Sequence, residues 1–558
     1  MSHTDNAAVY NSNSPNGFHW FCPQTGIYTS LNPTVQLPSH PDIDVVTFMF
    51  SQKHDGDTAL IDSATGYSIS YSHLFPLVQS IAFGLIQMGI RKGDVVLILL
   101  PNSVFFPLLF LSVLYAGGVA TAMSPLSTDF EIQKQVAHAN VKLGFCGINH
   151  LEKLKNMGVS AIEVPQSFGS NRDLMEYCDL FKPKGDAGSV KIKRPVIYQD
   201  DAAAILYSSG TTGTSKGVVL SHRNLIATVE LFVRFEASKY DELSSSNVYL
   251  AALPMFHIYG LSLFVLGLLS LGSRVVVMSK FNIDEAVRAI DRFKVTHFPV
   301  VPPILSALAA KAKNAYTIRL RSLKQVCVGA SVTPKKVIDD FVQALQQVDF
   351  IQGYGMTESS AVATRGFNTR NLRKHLSVGL LAPNMQAKVV EWVTGSLLSP
   401  GMTGELWLKG PGIMKGYLND EKSTREIIDK DGWLRTGDIV FFDLDGYLHI
   451  VDRLKEIIKY KGFQIAPGDL EDALISHPEI DDAAVTAAKD ELAGEIPVAF
   501  VVRTQGSLLS QTAVMDYVAQ KVAPYKKVRR VIFVDSIPRS PTGKILRSKL
   551  QSALISKI

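Results

Sequence analysis

The run Tyr207-Ser208-Ser209-Gly210-Thr211-Thr212-Gly213-Thr214-Ser215-Lys216-Gly217 places hydroxyls, glycines and one lysine between two apolar strand-like segments, Ala203–Tyr207 and Val218–Leu220. Glycines let a backbone bend and turn N–H groups toward an anion. Ser and Thr hydroxyls add donors, and Lys216 adds charge. Such a loop grips phosphates. It differs from a Walker A loop, in which Gly-Lys-Ser/Thr opens a helix. Here Lys216 follows Ser215, and a strand follows the loop.

Five further segments follow in order. Pro254-Met255-Phe256-His257-Ile258-Tyr259-Gly260 offers an imidazole and a phenol. Gln352-Gly353-Tyr354-Gly355-Met356-Thr357-Glu358 offers a carboxylate after a flexible turn. Trp433-Leu434-Arg435-Thr436-Gly437-Asp438 ends on a second carboxylate. Asp452-Arg453-Leu454-Lys455-Glu456 precedes Ile457-Ile458-Lys459-Tyr460-Lys461-Gly462-Phe463-Gln464. Pro541-Thr542-Gly543-Lys544 lies near the end. Taken singly, each charged residue reads as a solvated side chain, because most are. Their number and order resemble the adenylate-forming superfamily of acyl-CoA synthetases, luciferases and peptide-synthetase adenylation domains, over about Ile43 to Leu550. The stretch from Lys459 to Glu471 is most similar to plant 4-coumarate–CoA ligase-like proteins.

The resemblance implies a two-step ligase. A carboxylic acid and ATP give acyl-AMP and pyrophosphate; coenzyme A then gives acyl-CoA and AMP. The first step joins two anions, so positioning and charge neutralisation are its main tasks. By resemblance, Ser208, Ser209, Gly210, Thr211, Thr212 and Lys216 hold the outer phosphates. Thr211 and Glu358 bear on Mg²⁺, a hard cation that prefers oxygen. Gln352, Gly353, Tyr354 and Thr357 line the nucleotide. Asp438 takes the ribose hydroxyls, and Arg453 helps fix ribose or phosphate. Lys544 steadies the carboxylate and α-phosphate as a point charge on a long stem. The acid lies against His257, Tyr259, Gly329, Ala330, Gly355, Ala361 and Val362. For the second step the small domain turns about Lys455, bringing Lys459 and Gln464 inward, while Lys280, Lys461 and Gly462 contact coenzyme A.

Two departures from hydroxycinnamate ligases fall in the acid pocket. Val328-Gly329-Ala330-Ser331-Val332-Thr333 replaces their usual Ser-Gly-Ala-Ala-Pro-Leu, and Ala361 stands where they often carry proline. Ala361 is expected to open space, and Tyr259 either binds a phenol or walls the cavity. A phenylpropanoid acid is the first expectation. A medium-chain or longer fatty acid, or a cyclopentenyl one, of the kind activated for peroxisomal β-oxidation, is the alternative.

The elements that must position these residues alternate. Apolar runs at Val95–Leu100, Val119–Met123, Val248–Leu253, Ser273–Met278, His297–Val301 and Gln325–Val328 read as strands. About Val104–Tyr115 and Ile283–Phe293 read as helices. The alternation predicts an α/β fold: a large domain of mixed or parallel sheets with helices, ending in a small β-rich subdomain, then a small mobile α+β domain. With 558 residues the chain exceeds one core. The expected division is a polar segment over 1–42, an adenylation domain over 43–454, a mobile domain over 455–555 and a tripeptide at 556–558.

Composition is that of an ordinary globular protein, 46% hydrophobic and 19% charged. A net charge of +5 gives no reason to expect nucleic acid as a partner. Nine Lys or Arg against one acid between Lys521 and Lys549 suit either a solvated face or polyphosphate. Cys22, Cys146, Cys178 and Cys327 have no CxxC spacing, so they read as buried apolar residues in a reducing compartment. The first residues lack a secretory pattern, and the apolar stretch Val95–Met123 is broken at Pro101 and Gly117-Gly118, against a membrane span. Ser556-Lys557-Ile558 is close to the peroxisomal address Ser-Lys-Leu, so an import receptor is an expected partner and the cytoplasm the alternative location. A monomer is expected. The competing readings are a luciferase-like oxygenase, a carrier-protein adenylation enzyme, a P-loop NTPase and a non-catalytic nucleotide-binding protein.

Overall fold

A computed structural model describes residues 19–165, 193–208, 215–240, 243–313, 319–366, 374–461, 463–490, 493–540 and 543–555, together with Asp173, Tyr177 and Phe181. Among these residues four sheets are present. Two mixed sheets form the large domain. In one, the parallel strands Val119–Ala122, Val95–Leu99, Val141–Cys146 and Ser160–Glu163 are extended by the antiparallel pair Ala202–Ser208 and Lys216–Ser221. In the other, Asp349–Tyr354, Gln325–Val328, His297–Val300, Val248–Ala251, Arg274–Val277 and Thr58–Asp62 lie parallel in that spatial order. A third, antiparallel sheet carries Gln386–Val390, Gly404–Lys409, Leu434–Phe442 and Leu448–Arg453.

Buried sequence explains the parallel sheets. Strands covered on both faces need continuous apolar runs rather than alternation, and Val-Val-Leu-Ile-Leu and Arg-Val-Val-Val supply them. The helix Phe105–Tyr115 is buried along its whole length, so its apolar composition reflects a core position. No described helix is long and apolar enough to cross a membrane. The helix Ile283–Phe293 has the predicted bounds. Asn282 accepts the backbone N–H groups of Asp284 and Glu285, and Lys294 closes the helix at φ 52°.

The small domain follows a short turn at Leu454–Glu456. It packs the helix Pro467–Ile475 against a sheet of Ile458–Tyr460, Phe463–Ile465, Ile480–Asp490, Gly494–Arg503 and Arg530–Phe533. Its apolar cluster, including Ile458, Leu470, Val485 and Val501, is separate from that of the large domain. Cys146 and Cys327 are buried, whereas Cys22 is half-exposed, so the expectation of burial does not hold for Cys22; all three are free thiols. Cys178 lies outside the described residues.

Candidate active site

The phosphate-loop segment starts from a hairpin. Ser208 and Lys216 are cross-strand partners, and Ser215 Oγ donates to the Ser208 carbonyl at 3.0 Å. Ser209, Gly210, Thr211 and Thr212 lie outside the described residues. The loop's ends are anchored by side chains far away in sequence. Ser208 Oγ donates to Glu358 Oε1 at 3.0 Å, and Tyr417 OH donates to the same oxygen at 3.1 Å. Lys216 Nζ donates to Ser423 Oγ at 2.7 Å and lies 4.9 Å from the Tyr417 ring centre. Tyr417 comes close because Gly416–Tyr417 pairs with the strand carrying Lys216.

Glu358 is buried on a short turn, Thr357–Ser359. The next turn is unusual: Ser360 and Ala361 both have positive φ, 54° and 64°. Thr228 Oγ1 donates to the Ser360 carbonyl at 2.7 Å, and Ser360 Oγ donates to the Gly412 carbonyl at 2.8 Å, which together hold it. Proline, fixed near φ −65°, could not occupy position 361 in this conformation. Ala361 therefore permits a left-handed turn that the sequence did not reveal. Its carbonyl lies 2.5 Å from where a Gly355 Cβ would stand, so that position requires glycine. Val362 is fully buried beside Gly412.

The third-sheet hairpin supplies an acid–base pair. Asp438 and Arg453 are cross-strand partners, and Arg453 Nε meets Asp438 Oδ1 at 2.9 Å. Tyr354 OH donates to Asp438 Oδ2 at 2.5 Å. Burial and the adjoining carboxylate hold the Tyr354 phenol well above its ordinary pKa, so it stays a donor. Each Asp438 oxygen keeps a further lone pair for a hydroxyl. Gln352 Nε2 donates to the His375 carbonyl at 2.7 Å, which fixes it on the same strand as Gly353 and Tyr354.

Lys544 comes from the small domain into this region. The Gly543 backbone, at φ 79°, rests against Val301 and Pro303 of the large domain. Burial first, then the Arg453 guanidinium, lowers the Lys544 pKa; Asp438, Glu358 and Glu456 oppose the shift. His257 faces the same cation, and burial with the Lys544 charge pushes its imidazole down to about 4. It is neutral near pH 7. Arg547, three residues on, ties the Lys544 segment to the interdomain turn: its Nε lies 3.2 Å from Glu456, and its Nη2 lies 2.9 Å from Glu471.

A family model described as AMP-binding enzyme matches residues 49–418, and one described as AMP-binding enzyme C-terminal domain matches residues 469–544. The chain belongs to the AMP-binding enzyme family. It is similar to 4-coumarate–CoA ligase-like 6 of Arabidopsis thaliana, 58% identical over 97% of this chain and 95% of that protein. It is similar to peroxisomal OPC-8:0-CoA ligase 1 of the same plant, 42% identical over 96% of this chain and 98% of that one. Among solved structures, o-succinylbenzoate coenzyme A synthetase of Bacillus subtilis, in complex with ATP and magnesium ion, superposes with a TM-score of 0.76 at 25% identity, over 92% of this chain and 99% of that one. Membership makes the chain an adenylate-forming acid–thiol ligase, a class that uses ATP, coenzyme A and Mg²⁺.

In this AMP-binding enzyme the sequence-predicted residues form two groups. Ser208, Lys216, Tyr354, Glu358, Asp438, Arg453, His257 and Lys544 converge. Tyr259 packs its ring 3.3 Å from where a Gly329 Cβ would stand, and its hydroxyl lies 3.4 Å from Cys327 Sγ. Ala330 holds a positive φ of 71° beside it. Lys459 and Lys461 lie exposed on the small-domain hairpin, and Lys280 is exposed after the strand Arg274–Val277. Lys459 lines a separate depression of about 520 Å³ with Lys489, Asp490, Gly494 and Glu495. Gln464 pairs with Lys459 through its backbone; its side chain and Gly462 lie outside the described residues. Lys455 sits in the interdomain turn.

Tyr417, Ser423, Glu236, Arg365 and Arg547 were not foreseen. Arg365 alone had a visible signal, as a lone charge ending the apolar run from Ala361.

Proposed function

We propose that this AMP-binding enzyme activates a hydrophobic carboxylic acid as its acyl-AMP and transfers the acyl group to coenzyme A, with phenylpropanoid acids of the 4-coumarate type as first candidates. The observation that carries the reading is the convergence of Lys544, from the small domain, on Asp438, Arg453, Glu358 and His257 of the large one. Two anions can react only where cations offset their repulsion at fixed positions. Lys544 and Arg453 supply that charge, and Lys216 supplies it at the phosphate end.

Asp438, oriented by Tyr354 and Arg453, takes the ribose hydroxyls. Glu358 is held through one oxygen by Ser208 and Tyr417, which leaves its other oxygen to serve a cation. No group of three or more metal-ligating side chains exists among the described residues. One carboxylate plus substrate phosphates suits Mg²⁺, which keeps waters and dehydrates reluctantly. Glu358 with Thr211 would hold it, and when bound it offsets charge on the departing pyrophosphate. Neutral His257 contributes shape and a hydrogen bond, not positive charge.

For transfer, Lys544 must leave. The Arg547 contacts with Glu456 and Glu471 lie on the small-domain side of Lys455 and would travel with that domain as it turns, whereas the packing of Gly543 against Val301 and Pro303 would be lost. Lys459 and Gln464 would then face the acyl-AMP, with Lys280, Lys461 and Gly462 toward coenzyme A. The exposure of those lysines on the small-domain hairpin and at the large-domain surface supports this.

The test is a split assay. Lys544→Ala should lose acid-dependent pyrophosphate exchange far more than thioester formation from supplied acyl-AMP. Equal loss in both would contradict the division of labour. A panel of cinnamates, benzoates and fatty acids, read as coenzyme A-dependent AMP release, ranks the acids. A medium-chain, longer or cyclopentenyl fatty acid is the second candidate, and the relative named as a peroxisomal OPC-8:0-CoA ligase supports a peroxisomal location. Ser556-Lys557-Ile558 lies outside the described residues. Imaging an N-terminally tagged protein with and without it tests that location.

A further inference from the structure

Beneath the strands proposed to line the acid pocket lies a buried ion pair, Arg365 with Glu236. Gln325–Val328 and Asp349–Tyr354 run parallel, and Thr364–Arg365 adds antiparallel at the edge. Arg365 and Gly353 are cross-strand partners. A Gly353 Cβ would lie 3.4 Å from Arg365 Cδ and 3.7 Å from its Nη1, and a Gly329 Cβ would lie 3.4 Å from the Gly353 carbonyl. Arg365 thus lies against Gly353, whose carbonyl adjoins Gly329, the glycine against which Tyr259 packs.

The Arg365 side chain is only 7% exposed, and its Nη2 meets Glu236 at 2.6 Å. Glu236 comes from the turn Phe235–Ala237, which ends a helix whose preceding segment, Thr228–Arg234, is wound in wide i→i+5 turns. Arg365 Nε and Nη1 have no hydrogen-bond partner among the described residues. Buried donors without acceptors are costly. A ligand that supplies an acceptor removes the cost. Its charge is also constrained: Glu236 already neutralises the guanidinium, and a second anion there would leave a net negative charge at low dielectric. A neutral oxygen adds hydrogen bonds without that penalty.

We propose that Arg365 is a specificity-determining residue that donates from Nη1 and Nε to a neutral oxygen, a ring carbonyl or phenol hydroxyl, at the end of the acid distal to its carboxylate. The proposal rests on the acid-activating reading above. A pocket built to hydrogen-bond an oxygen rejects the analogue lacking it far more strongly than an apolar pocket rejects a methylene.

The experiment compares two matched pairs: 4-coumarate with cinnamate, and a medium-chain acid bearing a terminal ring ketone with its deoxy analogue. Pyrophosphate exchange is measured for the wild type, Arg365→Met and the double variant Arg365→Met/Glu236→Gln, which leaves no lone buried charge. The wild type should favour the oxygenated member of at least one pair by about 100-fold or more in kcat/KM. In the variants the ratio should fall to within about threefold, chiefly through KM. An unchanged ratio in an active variant, or no preference by an active wild type, overturns the role of Arg365 while leaving the ligase reading intact. Absence of exchange with every acid overturns both. If the variants do not fold, wild-type affinities for paired acyl-sulfamoyl adenosines decide: equal affinity within both pairs overturns the proposal.

Discussion

Two arginines of the proposed site, Arg453 half-buried and Arg365 buried, differ in their partners. Arg453 shares Asp438 with Tyr354, so every oxygen of that carboxylate is positioned before a nucleotide arrives. Arg365 has one ion-pair partner, Glu236, with the Phe232 ring centre 4.8 Å from its guanidinium, and two nitrogens without a hydrogen bond among the described residues. The corner proposed for the nucleotide has its carboxylate oriented by protein groups, whereas the proposed pocket floor keeps two guanidinium nitrogens that no described residue accepts from. A preorganised corner suits the part of the substrate that never varies. An unsatisfied donor discriminates among acids, because it penalises those that cannot fill it.

The largest expected effect probes the floor as a structure. Glu236→Gln alone leaves a buried guanidinium unpaired and should cost about 3–5 kcal/mol, seen as a lowered unfolding midpoint in urea. The double variant Arg365→Met/Glu236→Gln should recover most of that loss. If the single variant is as stable as wild type, the pair is not buried as described. Next comes the corner. Asp438→Ala should reduce pyrophosphate exchange by about 100- to 1,000-fold, with Tyr354→Phe milder. Comparable losses from Arg365→Met with cinnamate, which has no distal oxygen, would erase the distinction between the two arginines.

A third effect concerns protonation between the regions. His257 adjoins Lys544 on one side and precedes Tyr259 by two residues. It and the buried His222 are both pushed down to about 4 from 6.5. Between those values the unfolded chain binds more protons, so stability is full above pH 6.5 and is lost as pH falls through 4. His222, almost fully buried, should account for up to about 3 kcal/mol. His222→Asn should flatten the Tm profile in that window; an equally steep profile would assign the acid sensitivity elsewhere. The smallest effect tests the turn joining corner to floor. Ala361→Pro demands φ near −65° where the chain has 64°, and should cost upwards of about 1 kcal/mol and raise KM for the acid. Unchanged stability and KM would show that the turn tolerates the hydroxycinnamate-ligase conformation.

Much of the corner was legible in sequence because its residues sit in contiguous motifs with chemical signatures. Asp438, Glu358, Lys216 and Lys544 could each be assigned a task, and the helix Ile283–Phe293 has the bounds its pattern implied. Tyr417 and Ser423 could not, because they reach Glu358 and Lys216 only through a two-residue strand pairing about 200 positions away. Sequence spacing carries no information about such long-range pairing. The conformation at Ala361 was illegible for a related reason: side-chain size is visible in sequence, but a left-handed turn held by Thr228 and Gly412 is not.

The sequence by itself determined the chemistry of this AMP-binding enzyme. Charge type, hydroxyl density and glycine placement are local properties that survive without a fold. Only the tertiary structure decided which charges are partnered. Hydrogen-bond satisfaction and burial depend on every element packed around a group, and they set Arg453 apart from Arg365.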